Sequence, residues 1–231
     1  SSDLNRIISV APHTKNEEFE QMSNSEYVDK TRAYIKIQDG CDQYCTYCII
    51  PYARGHVRSK PLDELKNEII GLAKAGHKEI ILVGINLSCY GKDLGIRLID
   101  AIETACSIDE IERVRLGSLE PELISDADIK RMSQQPKLCP QFHLSLQSGC
   151  DKTLKAMNRK YNAFEYYEIV QKLRSAFKDC AITTDIMVGF PDETDEDFRE
   201  SLEFVKKVGF SKAHIFPYSK REGTIAAKRS G

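Results

Sequence analysis

Residues 33–48 read AYIKIQDGCDQYCTYC, a short strand pattern running directly into three cysteines, Cys41, Cys45 and Cys48, spaced C-x3-C-x2-C. The near alternation of aromatic and β-branched residues over 33–38 predicts a strand. Three thiolates on the loop behind it can converge on a soft metal centre. A structural zinc site closes with four ligands, so zinc would have to recruit a fourth, for which His56 is the candidate. Ferredoxin-type clusters also use four cysteines, in other spacings. Three cysteines without a local fourth suit a 4Fe–4S cluster with one iron left open to a substrate or cofactor. Taken alone, the triplet leaves zinc and iron–sulfur level.

Outward from this loop, the apolar spacing alternates between two periods. Pro61 opens a helix with Leu62, Leu65, Ile69, Leu72 and Ala73 on one face and a stop at Gly76. A strand is predicted over 79–83, a helix over 94–106, a strand over 113–117, a helix over 125–134 and a strand over 141–146. A helix pair follows, its second member carrying Tyr166, Ile169, Val170, Leu173 and Phe177 at core spacing. After a strand over 181–188, Thr194 caps a helix with an acidic first turn and a buried stripe of Phe198, Leu202 and Val205. A sixth strand is expected over 212–216. Strands alternating with helices of roughly 10–15 residues predict an α/β fold with a parallel sheet.

In such folds chemistry gathers at the C-terminal strand ends. The residues falling there are the cysteine loop, Gly84 with Asn86, Ser118 with Glu120, and Gln147 with Ser148 and Gly149. The stretch from Asp185 to Gly189 and the run Pro217, Tyr218, Ser219 complete the set. Loops are polar in general, which accounts for any one of these stretches more easily than for all of them.

Composition narrows the class. The chain has 231 residues with 33 Lys+Arg against 35 Asp+Glu, so it does not coat nucleic acid by bulk charge, although a local basic groove is compatible with it. No apolar run approaches the roughly 20 residues of a membrane span and no export signal opens the chain, so a cytoplasmic protein without membrane contact is expected. Of the eight cysteines, Cys89, Cys106, Cys139, Cys150 and Cys180 are scattered and read as buried small hydrophobes or incidental thiols, not a disulfide framework. Residues 1–30 are polar and unpatterned, an expected linker or arm; residues 31–231 form the expected core domain. The start at Ser1 instead of Met suggests a trimmed chain.

The cysteine loop behind the first strand of a six-fold βα series resembles the radical S-adenosylmethionine (SAM) enzymes. That resemblance implies a partial (β/α)6 barrel with outer helices. It also implies a 4Fe–4S cluster on Cys41, Cys45 and Cys48 whose free iron takes the amino and carboxylate groups of SAM, with Tyr47 near the adenine. The segments IQDGCDQYCTYCIIPYARGHVRS, LSLQSGCDKTLKAMNRKY, TTDIMVGFPDETDEDF and FPYSKREGT resemble the methylthiotransferases within that family, most of all the MtaB-type branch. What this implies is insertion of a methylthio group at C2 of threonylcarbamoyl-adenosine beside the tRNA anticodon. The route implied is reductive SAM cleavage to a 5′-deoxyadenosyl radical. Neighbouring branches act on isopentenyl-adenosine in tRNA or on a ribosomal-protein aspartate. Partners implied are tRNA and a flavodoxin- or ferredoxin-type electron donor. Family members carry a second cluster on an N-terminal domain and bind RNA through a C-terminal β-barrel. Neither is recognised in this sequence, so one cluster and SAM cleavage without methylthiolation are expected of it.

The same resemblance, laid over the strand ends, suggests roles. Glu120 would hold a ribose hydroxyl or the SAM amino group, and Arg159 the SAM carboxylate. Gln147 and Ser148 would meet SAM or the substrate adenosine. Gly84, Asn86 and Asp185 are cofactor candidates by position, and Gly189 would admit close approach of the adenine. Gly40 is expected to supply a permissive backbone angle at the loop entry. Arg54, Arg58, Lys60, Lys220 and Arg221 are candidates for tRNA phosphates; His56, His77, His143 and His214 read as structural. The competing class is a zinc-stabilised nucleic-acid binding module.

Overall fold

The computed structural model describes residues 14, 17–20 and 31–229. Its strands are β1 (Arg32–Asp39), β2 (Arg58–Ser59), β3 (Glu79–Gly84), β4 (Arg113–Leu116), β5 (Ser118–Leu119), β6 (Gln141–Leu144), β7 (Ala181–Val188) and β8 (Lys212–Pro217). The helices are α1 (Ile50–Arg54), α2 (Leu62–Lys74), α3 (Leu98–Cys106), α4 (Asp126–Ser133), α5 (Asp151–Ala156), α6 (Ala163–Ala176) and α7 (Asp195–Val208). Hydrogen bonding gives two four-stranded sheets, β2-β1-β3-β4 and β5-β6-β7-β8. Gly117 alone separates β4 from β5, so these two short strands are one strand of the βα series, shared between the sheets. Apart from the antiparallel β2, every pairing is parallel and follows chain order. This is the half-open (β/α)6 arrangement expected from the alternating periods.

The physical cause is period-two burial. On β1, Ala33, Ile35 and Ile37 are fully buried, and on β3 so are Ile80 and Leu82. These residues meet Leu65, Ile69 and Leu72 of α2 and Ile99 and Ile102 of α3 in one core. The opposite strand faces carry polar groups, among them Lys36, Glu79, Arg115, His143, Thr183 and Asp185. Burial of the outer face therefore leaves the inner face free for chemistry.

Several expectations shift in detail. The helix expected over 94–106 starts only at Leu98, because Gly91 and Gly95 turn the chain at φ +85° and +68° and Arg97 with Asp100 closes a capping box. The strand expected over 141–146 ends at Leu144. Helix α1 and strand β2 had no signal in the periodicity. Of the stripe expected on α7, Val205 packs on the core, but Phe198 and Leu202 are exposed and Asp197, Ser201 and Val208 are buried instead. The neighbour decides this. The Gly149 backbone N–H donates to Ser201 Oγ at 2.8 Å, and a Cβ on Gly149 would lie 2.7 Å from Phe204 Cβ.

Of the expected arm, only residues 14 and 17–20 are among those described. The Glu17 carboxylate accepts from Arg58 at 3.2 Å, and the Phe19 ring lies below the ammonium groups of Lys36 and Lys60.

Candidate functional site

The cysteine loop leaves β1 through Gly40, whose φ is +71° and whose absent Cβ would sit 1.8 Å from the His56 carbonyl oxygen. Only glycine fits there. Four further contacts hold the loop from distant parts of the chain. The Cys41 N–H donates to the Gly55 carbonyl at 3.1 Å and the Thr46 N–H to that of Met157 at 3.0 Å. The Ala226 N–H donates to the Thr46 carbonyl at 2.8 Å, and Asn158 Nδ2 to that of Tyr44 at 2.9 Å. The end of α5 and a turn near the C-terminus thus clamp the loop. Sequence periodicity carries no signal for these contacts.

Gln38 is another group the sequence alone did not reveal. It is fully buried, its Nε2 donates to the carbonyls of Asp39 and Gly40 at 2.6 and 2.7 Å, and its Oε1 accepts the Asn86 N–H at 2.7 Å. Gly84 makes room for it, since a Cβ there would meet Gln38 Oε1 at 2.8 Å. Asn86 in turn directs Nδ2 at Cys41 Sγ, 3.7 Å away, and its buried Oδ1 has no hydrogen-bond partner.

Arg159 approaches a second sulfur. Its Nη1 lies 3.3 Å from Cys45 Sγ, while Nη2 pairs with Glu120 Oε2 and Nε donates to Tyr161 Oη at 2.9 Å. Burial pushes the Glu120 carboxyl up to about 6, against the downward pull of Arg159. Burial also pushes the Cys41 and Cys48 thiols up, opposed by the backbone N–H groups of Gln43 and Ile50. Arg159 and Glu120, each expected to meet a cofactor, are thus joined to one another beside Cys45.

Next to Cys48 opens a cavity of about 340 Å³ lined in part by Tyr47, Gln147, Met187, Tyr218 and Arg221. Phe190 stands between Tyr47 and Tyr218, with ring centroids 6.3 and 5.5 Å away and edge-on geometry to both. Gln147 holds φ +70°, and its backbone pairs with Asp185 and Met187 of β7. Ser148 is fully buried and its Oγ accepts the Cys150 N–H at 3.2 Å. Asp185 sits further down the inner face, 3.2 Å from His143 Nε2. Gly189 has φ +70° with open space where a Cβ would be.

Among the basic residues expected to meet phosphate, Arg58 and Lys60 are buried, held by Glu17 and Glu68 respectively. Arg221 reaches the cavity lining. His56, the possible fourth zinc ligand, instead places Nδ1 2.6 Å from Asp42 Oδ1.

The donor set fits an iron–sulfur cluster: three thiols on one loop, side-chain N–H groups on two of the sulfurs, and a cavity beside the third. Among the described residues no three His, Cys, Asp or Glu side chains are grouped to hold a single ion. Ligands to three different irons need not meet at one point. Among the described residues, no helix is long and apolar enough to cross a membrane.

Comparison with known proteins agrees with the geometry. The family model of the Radical SAM superfamily matches residues 35–205. A threonylcarbamoyladenosine tRNA methylthiotransferase MtaB of Thermotoga maritima is 47% identical over 214 residues, covering 92% of this chain and 49% of that protein. A tRNA-2-methylthio-N(6)-dimethylallyladenosine synthase of Thermoanaerobacter is 44% identical over 225 residues, covering 96% of this chain and 47% of that protein. The chain therefore spans about half the length of these relatives. Among solved structures, the radical SAM methyltransferase TsrM of Kitasatospora setae superposes with a TM-score of 0.70 at 13% identity, over 84% of this chain and 38% of that one. Methylornithine synthase gives 0.63 at 12% identity, over 85% and 56%. At such identities the likeness is one of fold.

Proposed function

The chain belongs to the radical SAM superfamily, and from that premise we propose that it is the catalytic core of a tRNA methylthiotransferase acting on threonylcarbamoyl-adenosine. The observation that carries the chemistry is the loop of Cys41, Cys45 and Cys48 at the end of β1, with Asn86 and Arg159 turned toward two of its sulfurs. The 47% identity to the Thermotoga enzyme supports the substrate.

The three cysteines would hold a 4Fe–4S cluster, and cluster and SAM together supply reductive carbon–sulfur cleavage and a carbon radical that abstracts hydrogen. The residues of this chain do the rest. Gly40 and Gln38 fix the path of the loop that carries the three thiols. Tyr47 and Tyr218, both packed edge-on against the buried Phe190, present aromatic surface suited to an adenine ring to the space beside Cys48, and Gln147 adds a polar group to the same lining. Gly189, just past the end of β7, leaves open space where a side chain would stand. Arg221 offers the cavity a guanidinium for an anionic group of cofactor or RNA.

Anaerobic reconstitution with iron and sulfide, followed by electron paramagnetic resonance (EPR), tests the chemistry. A reduced-cluster signal that changes on adding SAM is expected; a colourless zinc protein would overturn the proposal. For the substrate, 5′-deoxyadenosine release is measured with anticodon stem-loop RNA carrying either threonylcarbamoyl- or isopentenyl-adenosine. The first RNA should stimulate release more. A larger response to the second would assign the chain to the neighbouring branch, whose representative is 44% identical.

A further inference from the structure

We propose that Arg159 is a positioning residue that holds Cys45 and biases the bound cluster toward its reduced state. This rests on the iron–sulfur reading above. The guanidinium is fixed on every side. Nη1 lies 3.3 Å from Cys45 Sγ, Nη2 pairs with Glu120 and lies 3.3 Å from the Ser145 carbonyl, and Nε donates to Tyr161 Oη at 2.9 Å. Tyr161 is itself locked, because its hydroxyl lies 2.6 and 2.8 Å from the carbonyl oxygens of Ser145 and Leu146. The Arg159 side chain is only 4% exposed, so it cannot swing to solvent and leave the sulfur.

A cation fixed against a thiolate in a poorly solvated site favours whichever state carries more negative charge. Reduction adds one electron to the cluster from a low-potential one-electron donor and releases no leaving group. The added charge is shared with the coordinating sulfurs, and hydrogen bonds to those sulfurs are a recognised lever on cluster potential. Arg159 therefore makes the cluster easier to reduce. Glu120, on the other side of the same guanidinium, works against it. The Asn86 amide at 3.7 Å from Cys41 is a longer, uncharged counterpart. Cys45 alone of these two sulfurs faces a full positive charge.

The opposed signs make a test that packing damage would not imitate. Reconstituted wild type, Arg159→Lys, Arg159→Gln and Glu120→Gln are titrated without SAM, and the EPR signal of the reduced cluster is followed against potential. Arg159→Gln should shift the reduction equilibrium about tenfold toward the oxidised state, about 59 mV for a one-electron couple. Glu120→Gln should shift it the opposite way, and Arg159→Lys should fall between wild type and Arg159→Gln. Wild-type midpoints in both Arg159→Gln and Glu120→Gln, or shifts of the same sign, would overturn the tuning role while leaving the cluster assignment intact. If Arg159→Gln fails to load iron, Glu120→Gln decides, and an unchanged or lowered midpoint there rejects the proposal. A wild-type protein that forms no cluster would overturn the function and this inference together.

Discussion

The side-chain carbonyl of Gln38 accepts the backbone N–H of Asn86 at 2.7 Å, tying the end of β1 to the turn that follows β3. Through the same side chain, Nε2 holds the carbonyl of Gly40, the residue that opens the cysteine loop. One buried amide therefore sets the spacing between two strand ends and the direction in which the loop departs. Gln38→Leu keeps the volume but leaves a buried N–H and two buried carbonyls without their partner. Such groups are costly, and the apo-protein should lose about 2–4 kcal/mol in urea unfolding. Iron retained after reconstitution should fall in parallel. Wild-type stability in this variant would show that the network is dispensable.

Cys45→Ala should abolish the visible absorbance and EPR signal of the reconstituted protein, whereas Cys180→Ala should leave both unchanged. Chelation of iron from the wild type should lower its melting temperature, because a group bound by the folded state alone stabilises that state by mass action. Equal melting curves with and without the cluster would contradict this.

The face of α7 can be tested by a pair of substitutions. Leu202 is 41% exposed and Val208 is 1% exposed. Leu202→Ser should change unfolding free energy by less than about 0.5 kcal/mol. Val208→Ala, which empties a packed site, should cost about 2 kcal/mol. The reverse order would restore the stripe read from spacing alone.

Asp197 gives a pH dependence with a definite sign. The Lys152 ammonium and the Thr194 backbone N–H hold its carboxyl well below the usual carboxylate range. A depressed acid contributes stability above its unfolded value of about 3.9, and that contribution is lost as pH falls through the folded value. Urea unfolding should therefore show wild type losing its advantage over Asp197→Asn as the pH drops below about 5. Between pH 6 and 8 the difference should be flat. A difference that persists unchanged into strong acid would exclude the ionised carboxylate as its source.

Local chemistry made much of this legible before any coordinates. The C-x3-C-x2-C spacing spans eight residues of chain, and Gly40 announces the turn that releases it. Strand and helix periods are likewise properties of short windows, so the βα series could be read from them and the structure reproduces it. Boundaries slipped where glycine turns or a capping box intervened, as before α3.

The three thiols, their loop and the alternating scaffold beneath them were thus determined by the sequence itself, because each depends on residues a few positions apart. Tertiary structure alone decided that Arg159, 114 residues beyond Cys45, would face its sulfur, and that Gln38 would join Asn86 across 48 residues. It also decided that α7 would turn Ser201 rather than Leu202 inward. Such pairings depend on which strand lies beside which and on the space a neighbour such as Gly149 leaves. Only the assembled sheets supply that information.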